Sequence, residues 1–224
     1  PAVGFGVNVN ALCDVMREEI NVDRPIRIAL TKGRLEKSSI SLFKKMGLDT
    51  SELENKGRRL ILPVGDFEAV LSKAPDVITY VEHGVCDIGI VGKDTIVEHG
   101  NSFYEVIDLN IGKCRFALAC PNGTDFFSGH RRKVVASKYP KVAKSYFQSK
   151  GMDVDIIKIE GSVELAPLLG LADGIVDIVE ENGLEVVDTI MPISARVIVN
   201  MASMKLRKKE IEEFLNELEL ASKV

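Results

Sequence analysis

Ile26-Arg27-Ile28-Ala29-Leu30 runs straight into Thr31-Lys32-Gly33-Arg34 and then into a helical pattern over 35–46, where Ile40, Phe43 and Met46 recur at threefold spacing. A β-branched run feeding an amphipathic helix through a short turn is the opening of a βα unit. Six further runs follow: Ile88-Gly89-Ile90-Val91, Phe116-Ala117-Leu118-Ala119, and residues 133–136, 154–159, 175–179 and 194–199. Strands alternating with helical patterns predict parallel α/β architecture, and seven runs over this length predict two small sheets. The closing segment, 206–218, sets Ile211, Phe214, Leu215 and Leu218 on one helical face with Lys and Glu opposite, so it reads as a packing helix.

The chain has 224 residues, enough for one large or two small domains. Its 29 Lys and Arg against 33 Asp and Glu leave a net charge of −4, which argues against a general nucleic-acid binder. A content of 46% hydrophobic and 28% charged residues argues for a folded chain. No apolar run approaches a membrane span, and no basic segment precedes the opening Pro1-Ala2-Val3, so neither a membrane nor a secretory route is expected and a cytoplasmic home is the default. Cys13, Cys86, Cys114 and Cys120 lack metal-type spacing and read as reduced, mostly buried thiols. Asn110-Ile111-Gly112-Lys113 and the region after Glu185 are candidate crossings between two lobes, with ligands expected in the cleft.

Lys32-Gly33-Arg34 puts a small turn and two cations at the carboxyl end of a strand, where open α/β sheets bind ligands, and suits a phosphate or pyrophosphate. Taken alone, the tripeptide reads equally as a solvated basic turn. Arg58-Arg59, before Leu60-Ile61-Leu62, is a second cationic pair with the same two readings. Residues 160–177 carry more information. There a strand ends in Gly161-Ser162, a helix follows, and a second strand carries Asp173 and Asp177. Ser162 is placed to cap that helix, with Glu164 in its first turn. In Asp87-Ile88-Gly89-Ile90-Val91-Gly92-Lys93-Asp94 a buried strand meets a glycine turn with a charged pair. His83, His99 and His130 form no readable triad.

Taken together, Lys32-Gly33-Arg34, residues 76–84, residues 87–94, Ser137-Lys138-Tyr139-Pro140 and residues 160–177 resemble the short form of ATP phosphoribosyltransferase. The resemblance runs from about Ile26 to the end of the chain. It implies a two-lobed α/β fold like a type II periplasmic binding protein, with a cleft between lobes. Residues 25–112 and 188–224 would form lobe I, and 113–187 lobe II, the lobe that binds phosphoribosyl pyrophosphate (PRPP). The implied activity is the first step of histidine biosynthesis, in which adenine N1 of ATP displaces pyrophosphate from PRPP. Mg²⁺ is the implied cofactor, carried mainly by the substrate pyrophosphate with no protein metal site. Arg34 and Arg58 are then the catalytic cations on the leaving pyrophosphate, where arginine's fixed donor fork suits the task. Lys32 and Gly33 would shape the same pocket, and Gly92 and Asp94 would line the nucleotide side. Gly161, Ser162, Val163, Glu164, Asp173 and Asp177 would serve PRPP, with Asp177 on its ribose hydroxyls. The implied partner is a regulatory subunit or fused domain resembling histidyl-tRNA synthetase, in a homo- or hetero-oligomer.

Two departures from the family pattern stand out. Glu180 runs directly into Glu181-Asn182-Gly183-Leu184-Glu185, where the family carries a Thr-Gly-x-Thr-Leu loop whose backbone amides cradle the PRPP 5′-phosphate. A true deletion would cripple PRPP binding, whereas a loop merely missing from the sequence as read would leave it intact. Val64-Gly65-Asp66-Phe67 is a second place where a smaller gap is suspected. The leader, 1–24, falls outside the catalytic pattern and resembles the last strand and helix of the regulatory subunit, which predicts a natural fusion. Against the enzyme stand a two-lobed binding or sensor module, which needs no pyrophosphate cations, and an inactive paralogue.

Overall fold

The first strand in the computed structural model, β1 (Ile26–Thr31), is buried along most of its length and leads through a two-residue turn into α1 (Arg34–Lys45). The structure describes residues 24–178 and 184–223. Their order continues α2 (Ser51–Glu54), β2 (Ile61–Val64), β3 (Phe67–Ser72), α3 (Ala74–Glu82), β4 (Ile88–Gly92), α4 (Lys93–His99), β5 (Tyr104–Asp108) and β6 (Cys114–Cys120). Then come β7 (Lys133–Ser137), α5 (Pro140–Ser149), β8 (Val154–Lys158), α6 (Leu165–Leu168), β9 (Gly174–Ile178), β10 (Glu185–Ile193), β11 (Ala195–Val199), α7 (Met201–Leu206) and α8 (Lys208–Lys223). The architecture is mixed α/β with two sheets, ordered β2-β3-β1-β4-β11-β5 and β10-β6-β9-β7-β8.

Each sheet belongs to its own compact unit. The first unit takes the described residues within Pro1–Val91, Gly100–Ile111 and the described residues from Ala195 onward; the second takes Gly92–His99 and the described residues within Gly112–Ser194. One boundary falls inside Asn110–Lys113. The second unit differs from an expected 113–187 at both ends. It includes α4, whose Glu98 carboxylate accepts the Lys141 and Val142 N–H groups at the start of α5. It also keeps β10 through Ile193, because that strand pairs antiparallel with β6 along its length.

In the first unit Ile26, Ile28 and Leu30 of β1 pack with Leu42 and Phe43 of α1 and with α8. Phe214 stands edge-on to Phe67 at 5.0 Å and to Phe43 at 6.2 Å. All four residues of the closing helix's expected face, Ile211, Phe214, Leu215 and Leu218, are buried. At about 25 cal/mol per Å² of apolar surface, such side chains supply most of what holds the helix on. Phe116, Tyr139, Phe147 and Val176 centre the second unit's core. Cys86 and Cys120 are buried and Cys114 half-buried, none of the three in a disulfide, and burial beside Asp87 pushes the Cys86 thiol up to about 12.

Three strands escaped the reading of hydrophobic runs, β3, β5 and β10, while β2 falls on the strand-like Leu60-Ile61-Leu62. Where a smaller gap is suspected, Val64 pairs with Phe67 across a hairpin turn with Gly65 at φ 59. Cys13, nearly all of the leader and the segment from Glu180 to Gly183 lie outside the described residues.

Candidate active site

In the first unit, strand register brings two cationic turns to one edge of the sheet. Thr31 is level with Ser72 in the parallel β1–β3 pair, and the Lys32 N–H donates to the Ser72 carbonyl at 2.9 Å. Antiparallel β2 begins where β3 ends: Ile61 faces Val70, and the Leu71 N–H donates to the Leu60 carbonyl at 2.8 Å. The turn before β2, with Arg58, therefore opens at the same carboxyl edge as Lys32-Gly33-Arg34. Ligands bind at this edge of open α/β sheets.

Gly33 sits at φ 99, ψ −131, and a Cβ there would meet nothing within 4 Å, so the backbone angle is what calls for glycine. Lys32, Gly33 and Arg34 are exposed. The second turn is closed by the Arg59 N–H donating to the Lys56 carbonyl at 3.0 Å, with Gly57 at φ 57 and Arg58 exposed beside it. Arg59 is held by Glu52 at 2.6 Å, whereas Arg58 makes no ion pair among the described residues. Between the turns lies buried Glu36. Its Oε2 accepts the Gly33 N–H at 3.4 Å, and its Oε1 accepts from the Lys56 ammonium.

In the second unit, parallel β7, β8 and β9 likewise finish at one edge. The Ser137 hydroxyl, at the end of β7, donates to the Val176 carbonyl and accepts the Tyr139 N–H at 2.9 Å. This fixes Tyr139, whose ring packs on Phe116 at 4.8 Å and whose hydroxyl donates to Asp94 Oδ2 at 3.0 Å. Burial, then the Asp94 and Asp177 carboxylates, push the phenol well above its ordinary range, so it remains a donor. A Cβ on Gly92 would lie 2.0 Å from Asp94 Oδ1, so glycine is what allows Asp94 this pose. Asp177, near the end of β9, accepts the N–H of Ile178 at 2.7 Å, its one hydrogen bond among the described residues. Burial raises its pKa; the Ile178 N–H and Lys138 oppose that, while Glu164 and Asp94 add to it.

After β8, Gly161 and Ser162 are exposed in a turn that leads to half-buried Glu164. Ser162 is not the helix cap. It has φ 47, uncommon for a residue with a Cβ, its carbonyl accepts the Leu165 N–H at 3.1 Å, and the cap position of α6 falls on Glu164. The Val163 side chain is 2% exposed and packs with Ala136 and Ile175, so it belongs to the core.

Asp173 is not brought to Asp177. It precedes β9 while Asp177 lies near its far end, roughly 13 Å away at 3.3 Å per residue. Its carboxylate accepts the Val134 N–H at 2.8 Å and from Arg131, and these bonds hold its pKa below the usual range although burial opposes them. These bonds tie β7 to β9 and set Asp173 apart from the Asp177 end of the strand. Two residues at these edges escaped the sequence reading. Glu36 had a signal as an acid in the first turn of a helix, and Tyr139 as the aromatic between a strand's end and the Pro that opens α5.

The family model described as "HisG: ATP phosphoribosyltransferase" matches residues 73–220. A Clostridium kluyveri ATP phosphoribosyltransferase is 58% identical over 206 residues, covering 88% of this chain and 94% of that protein. One from Clostridium acetobutylicum is 56% identical over 204 residues, covering 88% and 95%. Among solved structures, the ATP phosphoribosyl transferase (HisG:HisZ) complex from Thermotoga maritima matches with a TM-score of 0.77 at 33% identity, covering 88% of this chain and 98% of that one.

Proposed function

Because the chain belongs to the ATP phosphoribosyltransferase family, we propose that the two cationic turns of its first unit hold the pyrophosphate that leaves PRPP during transfer to ATP. The chain is a phosphoribosyl-transferring enzyme of histidine biosynthesis. In the reaction, adenine N1 forms a bond to the ribose anomeric carbon as the bond from that carbon to pyrophosphate breaks. Negative charge collects on the departing oxygens, where positioned cations lower the barrier most.

The observation that carries this reading is the register of β1, β2 and β3, which gives Arg34 and Arg58 one sheet edge. The second unit is assigned the rest of the substrates. Its Gly161 to Glu164 turn offers backbone to PRPP, Asp177 has lone pairs left for the ribose hydroxyls, and Gly92 and Asp94 serve the nucleotide. Among the described residues no cluster of three His, Cys, Asp or Glu could hold a metal ion. Mg²⁺ suits substrate phosphates with few protein ligands, so it is assigned to the pyrophosphate, whose charge it would neutralise. No helix among the described residues is long and apolar enough to cross a membrane. The likeness to the HisG:HisZ complex supports a regulatory subunit as partner.

The test is phosphoribosyl-ATP formation from ATP, PRPP and Mg²⁺, with regulatory subunit added. Arg34→Ala and Arg58→Ala should each lower kcat by about 10²–10³-fold, the range for removing a group that stabilises transition-state charge. Full turnover in both variants would refute the assignment.

A further inference from the structure

We propose that Glu36 and Lys56 form a positioning pair that sets the Arg34 turn against the Arg58 turn, so that both arginines meet one pyrophosphate. The inference rests on the reading that these turns bind pyrophosphate. Neither turn is positioned by sheet register alone. The strands bring them to the same edge, but each turn bends outside the ladder at a glycine with positive φ, Gly33 just after β1 and Gly57 ahead of the Leu60 bond that opens β2. Arg34 is then carried by α1, which packs on β1, while Arg58 lies in no helix or strand and is set by local bonds.

Glu36 supplies the bond the two turns share. It lies in the first turn of α1 and is 6% exposed, although long acids are rarely buried unless paired. One carboxylate oxygen holds the Gly33 N–H, the residue before Arg34; the other holds the Lys56 ammonium. Lys56 in turn opens the reverse turn, its carbonyl accepting the Arg59 N–H with Arg58 between. A continuous path thus runs from Gly33 through Glu36 and Lys56 to the residue beside Arg58. An N-terminal helix cap alone would account for the Gly33 bond. It would not call for a second oxygen committed to a lysine 20 residues on.

The half-exposed Lys56 side chain stands 35% open, so it is not needed for burial. Its value in this arrangement is a charge-assisted tether, stronger and shorter than a neutral hydrogen bond. A pyrophosphate bridged by two guanidinium forks demands that their spacing be held, since misplacement of about 1 Å can cost ~100-fold in rate.

The experiment measures kcat, the KM values for ATP and PRPP, and pyrophosphate product inhibition on the full chain with regulatory subunit present. Glu36→Gln keeps an acceptor for the Gly33 N–H but loses the charge that holds Lys56; Lys56→Met removes the tether from the other side. Both variants should lower kcat and weaken pyrophosphate inhibition together, by about 10–100-fold, while the KM for ATP holds; the thermal midpoint should hold in Glu36→Gln, which leaves no unpaired charge buried, and fall in Lys56→Met, which strands the buried Glu36 carboxylate. The double variant should be no worse than either single one, and Lys56→Arg should restore most of the loss. Arg34→Ala and Arg58→Ala run alongside as controls. If those two abolish turnover while Glu36→Gln and Lys56→Met stay within about twofold of the parent in kcat and pyrophosphate inhibition, the positioning pair is refuted and the pyrophosphate reading stands. If the arginine variants turn over normally, the pyrophosphate reading itself has failed. Additive losses in the double variant would also overturn the pair.

Discussion

Asp87 in the first unit and Asp177 in the second are both aspartates drawn into the protein beside a strand, Asp87 just before β4 and Asp177 near the end of β9, and they are treated in opposite ways. Asp87 is fully buried and its lone pairs are taken. Oδ2 accepts from Arg24 at 2.6 Å and from the Arg27 N–H at 2.9 Å, and Oδ1 accepts from the Ser203 hydroxyl at 2.8 Å. Arg207, itself 4% exposed, adds a second buried cation at 3.7 Å. Asp177 is half-buried and accepts one neighbouring N–H among the described residues, with Asp94 and Glu164 near enough to raise its pKa further. Burial is therefore a poor guide to function. Completeness of hydrogen bonding separates the two: a satisfied acid holds the fold together, while an under-bonded one keeps lone pairs for a ligand at a cost to stability.

The sharpest way to break this distinction is Asp87→Ala. It removes the carboxylate that holds the buried Arg24 guanidinium, while Arg207 keeps Glu210 at 2.7 Å, and removing one partner of a buried ion pair costs about 3–5 kcal/mol. Urea unfolding should show a loss of that size, with PRPP affinity of the folded fraction unchanged. A loss below about 1 kcal/mol, the range of an exposed pair, would erase the contrast.

Asp177→Asn should behave in reverse. Burial raises the folded pKa above the unfolded one, so the ionised acid costs stability at neutral pH, and that cost disappears as pH falls through the folded value. The amide removes it, so the thermal midpoint at pH 7 should hold or rise. Bonds to a charged group are worth about 1.5–3 kcal/mol, so PRPP affinity should fall by about 10–100-fold. A variant that is destabilised yet binds PRPP normally would reassign Asp177 to the scaffold.

How much of this was legible in the sequence follows from burial. β1, β4 and β9 read correctly because they are apolar on both faces, Ile88 to Gly92 being buried throughout. β10 did not. It is an edge strand with two register shifts, it carries Asp188 and Pro192, and it alternates weakly, as an edge that pairs on one side is free to do. β5, at the edge of the other sheet, is half-exposed along its length and was missed for the same reason. The cationic turns were legible as types, not as neighbours, because only the antiparallel return of β2 onto β3 brings Arg58 to the edge of Arg34. Glu36 was illegible as a tether, since its partner lies in a turn with no periodicity to announce it. Ser162 misled because its residue type favours a cap while its backbone takes a left-handed turn.

The smallest effect sharpens the comparison within β9 itself, between Asp177 and the acid before the strand. Asp173 is held by Arg131 and the Val134 N–H, which outweigh burial and leave its folded pKa below the unfolded value near 3.8. A depressed carboxylate stabilises the fold above its unfolded pKa, and that stability is lost as pH falls through the folded pKa. The parent should therefore lose an increment of stability on acidification below about pH 4 that Asp173→Asn does not lose. At neutral pH the variant should be destabilised by only about 0–1 kcal/mol, because Arg131 is largely exposed and solvent screens the pair. PRPP affinity should not move, which is what divides Asp173 from Asp177. If the Asp173 variant binds PRPP as poorly as the Asp177 variant, then both ends of β9 serve the ligand and bonding completeness no longer tells the two acids apart.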